Sequence, residues 1–187
     1  MKGLDDPIRA SSFCLHKDLT PEWFCHQSWG STVTFQLSSY WASSEFLGFS
    51  LCAVIAFRSF SHSLQVKCKY HFHNKHGDSH DLYYYLRGWY DERRIDSDYI
   101  FVGFDPCLVA KKEYMFSEYN EVSIEFQPKD MNDNLLPLDL CQVVECGVRL
   151  LHANDGLEAL FQAKRARFND QYYLGKVMRR IKKRRHN

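Results

Sequence analysis

No stretch of these 187 residues approaches the ~20 uninterrupted apolar positions that a membrane-spanning helix needs, which excludes a helical span. Met1–Ser12 is charged and lacks the apolar segment of a secretory signal, an argument against export. The nine glycines are scattered, and none forms the G-x-x-x-x-G-K loop whose amides would cradle phosphates. No nucleophile, base and orienting acid stand together, so an enzyme ranks last among the function classes. No cofactor is expected. No internal repeat is visible, and no helical period persists for ten residues before Leu157. The seven cysteines are an odd number without a tight pairing motif, as in a reducing, cytosolic or nuclear compartment. Cys52, Cys68 and Cys146 sit in apolar strand patterns, where a free thiol packs as a small hydrophobe.

What the chain does have is apolar and aromatic material in short alternating runs. Hydrophobic residues make up 45% and aromatics 16%, enough to fill the core of one domain. Val33, Phe35 and Leu37 alternate with Thr34 and Gln36, the period of a half-buried strand. Leu47–Phe57 is apolar almost throughout, as in a strand covered on both faces. Leu64, Val66, Cys68, Tyr70 and Phe72 alternate with Gln65, Lys67, Lys69 and His71. Asp81–Leu86 and Tyr99–Phe104 are rich in aromatic and β-branched residues, the types that strands favour. Val122, Ile124 and Phe126 form another inward set, as do Val144, Cys146, Val148 and Leu150. Many short strands without intervening helices predict an all-β fold, an antiparallel β-sandwich.

Charge divides the chain. The whole carries +1, but Leu157–Asn187 holds ten Lys/Arg against Glu158 and Asp170, or +8, leaving −7 for Met1–Gly156. The change falls at Asn154–Gly156, a turn signal, and predicts a boundary between residues 15–155 and a basic tail, 156–187. Leu174, Val177, Met178 and Ile181 fall at helical spacing within that tail. Arg179, Arg180, Lys182, Lys183, Arg184 and Arg185 surround them and resemble a nuclear import signal, against the alternative of a solvated end that aids solubility. An acidic body without a recognition helix weighs against nucleic acid as a partner.

Polar clusters are few. His71, His73, His76, Asp78, His80 and Asp81 could present imidazoles to zinc, but nothing in their spacing specifies a closed site, and an exposed hairpin loop is the stronger reading. His26 beside Cys25 and Ser28 suggests a base and nucleophile only superficially, because neighbours on a tight turn rarely face one another. Glu22 and Trp23 read as a strand start with a packed aromatic.

The same residues carry a resemblance. Pro21–Ser28 reads PEWFCHQS, Gly30–Leu37 reads GSTVTFQL, Trp41 follows, and Leu47–Val54 reads LGFSLCAV. Further on come IFVGFD at Ile100–Asp105, EVSIEF at Glu121–Phe126 and CGVRLL at Cys146–Leu151. In this order the motifs resemble the C-terminal jelly-roll/immunoglobulin-like domain that follows the leucine-rich repeats in plant TIR–NB–LRR immune receptors. The likeness extends from about Leu19 to Asp155. Upstream, His16–Pro21 departs from the family's P-G-S-x-[IV]-P lead-in, which leaves the first strand and residues 1–14, the approach from the repeats, unassigned.

The resemblance implies a non-catalytic module that helps the repeats grip a pathogen effector protein through loops, caps those repeats, and works in the cytoplasm or nucleus. Two runs suit such contact. Phe72–Asp81 offers His73, Asn74, Lys75, His76 and Asp78; Gly88–Asp98 offers Trp89, Tyr90, Arg93 and Arg94, the aromatic and arginine types that dominate binding hot spots. An import receptor on the tail is a further expected partner. The competing classes are a carbohydrate-binding jelly roll, using Trp29, Trp41 and Tyr83–Tyr85 as sugar platforms, and a purely structural cap.

Overall fold

Alternation at period two shapes Thr32–Gln36, Glu121–Lys129 and most of Leu64–His73. The computed structural model describes residues 11–16, 20, 22, 24–58, 63–89, 98–107 and 114–155, with the backbone alone at 11–16, 88–89, 114–115 and 154. Nine strands are found among them: β1 (Ser11–His16), β2 (His26–Trp29), β3 (Thr32–Gln36), β4 (Phe46–Phe57), β5 (Leu64–His73), β6 (Ser79–Trp89), β7 (Asp98–Asp105), β8 (Glu121–Lys129) and β9 (Cys141–His152). They pair antiparallel in a five-stranded sheet, β1-β7-β4-β9-β2, and a four-stranded sheet, β3-β8-β5-β6. The all-β sandwich expected from the patterning is therefore the fold. The chain divides into two units, Met1–His152 and Ala153–Asn187, and the sandwich belongs to the first.

The inward faces meet in one core. Val33 and Phe35 of β3, Val66, Cys68, Tyr70 and Phe72 of β5, and Val122, Ile124 and Phe126 of β8 are all buried. Opposite them lie Phe49, Leu51, Ala53, Ile55 and Phe57 of β4 with Cys146 and Val148 of β9. Each large apolar side chain so buried contributes about 1.5–3 kcal/mol of transfer free energy. The other face of β4 is covered as well: Cys52 and Val54 join Phe24, Ile100 and Val102 in a second cluster. Phe24 lies across the outer face of the five-stranded sheet, near Gly147, where an added Cβ would sit 2.8 Å from Thr20 Cγ2 and 3.0 Å from Phe24 Cβ. The Thr20 amide donates to buried Glu145 Oε2 at 2.9 Å, pinning this crossing segment to β9.

Four expectations are corrected. Gln65, placed on the solvent face, is buried, with its Nε2 donating to the Asp130 carbonyl at 3.1 Å. Val144, placed in phase with Cys146, faces away from the main core: Val54 pairs with Glu145 but Ile55 with Val143, so Val144 is the extra residue of a bulge. Cys25–Ser28, read as a tight turn, leads instead into β2, where Ser28 pairs with Cys146 and the His26 ring stacks on Phe35 at 3.9 Å. Glu22, read as a strand start, stands exposed in a turn, while Trp23 lies outside the described residues. The previously unassigned first strand is β1, which pairs along β7 from Ser11 with Phe104 to His16 with Tyr99.

Register fixes which connections share an end. Phe57 pairs with Cys141 and Ala56 with Asp98, and the Arg58 amide donates to the Leu140 carbonyl at 2.8 Å. Leu64 pairs with Trp89 and Gln65 with Lys129. The strand ends Phe57, Leu64, Trp89, Asp98, Lys129 and Cys141, with loop 130–140, thus gather at one end of the sandwich, the Phe57 end. At the other, Phe46 pairs with His152, Ser11 with Phe104, and His73 with Ser79. This Phe46 end carries loop 74–78 and both points where the chain joins the sandwich.

Candidate functional site

The β5–β6 loop is shorter than the run Phe72–Asp81 suggests. Strand pairing continues through His73 with Ser79, because His71, His73, Ser79 and Asp81 occupy the solvent face while Phe72 enters the core. Only Asn74–Asp78 remain as loop, and Asn74 organises them. Its Oδ1 accepts from the amides of His76 and Asp78, each at 2.9 Å, and its Nδ2 donates to Asp78 Oδ2 at 2.9 Å. Gly77 at φ +89 closes the turn. Lys75 and His76 are exposed at its tip.

The imidazoles of this region converge only in part: the His71 and His73 rings lie edge to face with centroids 4.3 Å apart. His71 Nδ1 is hydrogen-bonded to Asp81 Oδ1, and Asp81 Oδ2 pairs with Lys69 Nζ at 3.1 Å. His80 faces the opposite way, packing on Phe116 with ring centroids 5.1 Å apart. Among the described residues no group of three or more metal-binding side chains forms. One rung does align Asp81, His71, Ser123 and Thr34 across four strands. However, the Ser123 hydroxyl is 2.8 Å from Thr34 Oγ1, and no hydrogen bond joins it to His71 among the described residues. The rung ties strands together.

The second run is corrected too. Gly88 and Trp89 belong to β6 and Asp98 to β7, so the connection is 90–97. Tyr90, Arg93 and Arg94 lie outside the described residues, as do Arg179, Arg180, Lys182, Lys183, Arg184, Arg185 and the rest of the tail. The two runs do not form one site. From His73 to Leu64 the β5–β6 ladder covers nine residue steps, roughly 30 Å of strand, and the runs sit at its opposite ends.

A third segment, Asp130–Leu140, was missed by the sequence reading and shares the Phe57 end with Trp89. Asp130 caps it: Oδ1 accepts from the amides of Asn132 and Asn134, both at 2.8 Å, and Oδ2 from Asn134 Nδ2 at 2.9 Å. Asp133, at φ +66, takes Lys67 Nζ at 3.2 Å and the Tyr85 hydroxyl at 3.2 Å. Leu136 and Leu140 pack against the core, whereas Met131, Leu135 and Leu138 stand 59%, 62% and 75% exposed. The available signal was D-M-N-D-N, a turn-forming run, followed by Leu and Pro residues too few for a strand.

The residues named as sugar platforms are divided by this framework. Trp41 is wholly buried, and the Tyr84 hydroxyl donates to the Phe104 carbonyl at 3.0 Å, its pKa pushed up to about 12 by burial and by Asp105. Lys67 Nζ lies 4.7 Å from the Tyr83 ring centroid and 5.6 Å from that of Tyr85, with the Arg87 guanidinium 5.1 Å from Tyr85. These cations occupy positions where a sugar would stack. Of that set Trp29 and Tyr83 stand exposed, at 78% and 53%.

Three carboxyls on this side are held below the ordinary range. For Asp81 desolvation pushes upward, but hydrogen bonds from His71 and Lys69 outweigh it. For Asp133 desolvation is likewise outweighed, by Lys67 and Lys129; Asp130 is lowered first by Asn134. A carboxyl depressed in the folded state contributes stability above its unfolded pKa and loses it as pH falls through the folded one. The Asp81→Asn/Asp133→Asn double variant is therefore expected to show a shallower loss of Tm between about pH 5 and about pH 2 than the parent. An identical acid limb would remove these pairs from the account.

Comparison with known proteins follows the sandwich. The C-JID domain family matches residues 15–175. The chain is 30% identical over 180 residues to the disease resistance protein RPP2B of Arabidopsis thaliana, covering 86% of this chain and 14% of that protein. It is 27% identical over 158 residues to the disease resistance-like protein DSC1 (77% and 13%) and 27% over 170 residues to the disease resistance protein LAZ5 (87% and 14%), both of Arabidopsis thaliana. The chain thus spans about one seventh of the length of these relatives. No helix among the described residues is long and apolar enough to cross a membrane.

Proposed function

This chain belongs to the C-JID domain family, the post-repeat domain of plant TIR–NB–LRR disease resistance proteins, and from that membership we propose that it is a non-catalytic recognition domain of an intracellular immune receptor. It binds a pathogen effector through sandwich loops, together with upstream leucine-rich repeats, and caps those repeats. The observation that carries this reading is the match over residues 15–175 to a family whose relatives are disease resistance proteins. The layout supports it: a rigid two-sheet scaffold holds connections at its ends, where variable contacts cost the core nothing.

The separation of the two loops supports proposing different neighbours for them. Asn74–Asp78 sits at the Phe46 end, where the chain joins the sandwich at Ser11, and suits contact with the repeats. Trp89 sits at the far end, and it suits the effector together with the residues that follow it in the chain. In the full receptor, challenged with an effector that elicits its response, the variant Trp89→Ala/Tyr90→Ala/Arg94→Ala is expected to lose effector co-precipitation by about 30-fold or more, the scale of a two-kcal/mol hot spot. Retained association would take this connection out of the binding surface.

A further inference from the structure

We infer that the Asp130–Leu140 loop is a preformed docking prong, which inserts Met131, Leu135 and Leu138 into an apolar cleft with a basic rim on the effector protein. This rests on the reading that the domain binds an effector, and it names the element and the chemistry of the contact.

Three observations converge. First, the three side chains are large, apolar and more than half exposed on a single eleven-residue loop whose other leucines, Leu136 and Leu140, pack against the core. Exposed apolar groups clustered this way mark an interaction surface more often than isolated ones do.

Second, the loop is built to hold still. The Asp130 amide donates to the Asn134 carbonyl at 2.9 Å, the Leu136 amide to the Pro128 carbonyl at 3.0 Å, and the Leu140 amide to the Pro137 carbonyl at 3.0 Å. Lys129 Nζ reaches the Asp133 carbonyl at 3.1 Å, while Lys67 and Tyr85 of the neighbouring strands clamp the Asp133 carboxylate. A loop already in its bound shape avoids most of the ordering entropy that weakens flexible binders.

Third, position and charge select the occupant. β1 begins and β9 ends at the Phe46 end, and the prong lies at the opposite, Phe57 end. A separate molecule meeting this end need not share space with the strand ends Ser11 and His152. Residues 129–141 hold Lys129 against Asp130, Asp133 and Asp139, and with Lys67 paired to Asp133 the balance is −1. Asp139 is exposed beside Leu138. The complement is a cleft that is apolar inside and basic at its edge.

The test uses the full receptor and an effector that elicits its response. Leu135→Asp/Leu138→Asp is expected to weaken effector binding by about 30-fold or more while the isolated chain keeps its melting temperature. Asp139→Lys should slow association and flatten its dependence on salt. Because a substituted loop can misfold, a photo-crosslinking residue at position 138 provides the second readout, with position 75 as control. Effector crosslinked from 138 and not from 75 supports the inference. Unchanged binding in the aspartate variant overturns it, and so does a crosslink from 138 to a second copy of the receptor or to lipid. If deleting the whole domain abolishes binding while these variants do not, the prong is wrong and the recognition reading stands. If deletion leaves binding intact, both fall.

Discussion

Gly48→Ala is expected to lower stability by about 3 kcal/mol or more, or to prevent cooperative folding altogether. An alanine Cβ at this position would lie 2.2 Å from the Asp105 carbonyl oxygen, 2.8 Å from Pro106 Cα and 2.9 Å from Phe104 Cε2. Two of these atoms are backbone and cannot swing aside as a side-chain tip would. Gly48 also sits at φ +149, in a conformation that L side chains rarely adopt. The surroundings resist adjustment: Asp105 accepts the buried Tyr70 hydroxyl at 2.8 Å and the Cys107 amide at 2.8 Å, with Cys107 itself at φ +45. Gly30→Ala is the natural control. It shares a positive φ, +84, but nothing lies within 4 Å of its would-be Cβ, so its cost is about 1–2 kcal/mol. Urea midpoints of the two variants measure the difference. A Gly48→Ala midpoint equal to that of Gly30→Ala would refute the close approach of β4 to Asp105–Pro106.

That contact also shows what the sequence could and could not reveal. LGF at Leu47–Phe49 and GFD at Gly103–Asp105 are separate motifs in the chain, and only the β4–β7 register, Phe49 with Asp105, brings them together. The local patterns were readable because one-sided strands must alternate: β3, and β5 from Val66 onward, bury the residues their period assigns. β4 was readable for the opposite reason, since a strand covered on both faces tolerates little polarity. The Val144 bulge was not readable, because a one-residue slip leaves the apolar composition of β9 unchanged and moves only its phase. Nor was the true length of the β5–β6 loop. His71, His73 and Asp81 are polar because one face of a hairpin is wet, and polarity alone does not separate that from a loop. The placement of the candidate loops at opposite ends depends on strand order, which no local pattern encodes. The prong was hidden by its own composition, since leucines near a proline look like material for the core.

Trp41 separates the sugar-platform reading from the packing reading most sharply, and Trp41→Ala is expected to cost about 3–5 kcal/mol. For a domain of this size that corresponds to a fall in Tm of about 10 °C. The indole is fully buried at the Phe46 end and stacks on Phe72 at 5.5 Å, with Phe46 at 5.3 Å, Phe49 at 6.0 Å and Phe116 at 6.4 Å around it. Its Nε1 donates to the Tyr119 carbonyl at 3.0 Å, and its own carbonyl oxygen lies 3.2 Å from His152 Nε2. One side chain therefore joins the β3–β4 connection, both sheets and the turn preceding β8. Truncation leaves an aromatic-lined cavity whose walls belong to elements distant in sequence, which limits how far they can collapse. Trp41→Phe keeps most of the packed volume and loses chiefly the hydrogen bond, for about 1–2 kcal/mol. Chemical denaturation of both variants ranks the two contributions. A Trp41→Ala cost below that of Trp41→Phe would show that the ring is not the keystone of this end. Because the indole already has packing partners on its faces and a carbonyl for its N–H, it has no surface left for a ligand, and its loss would act on binding only through the fold.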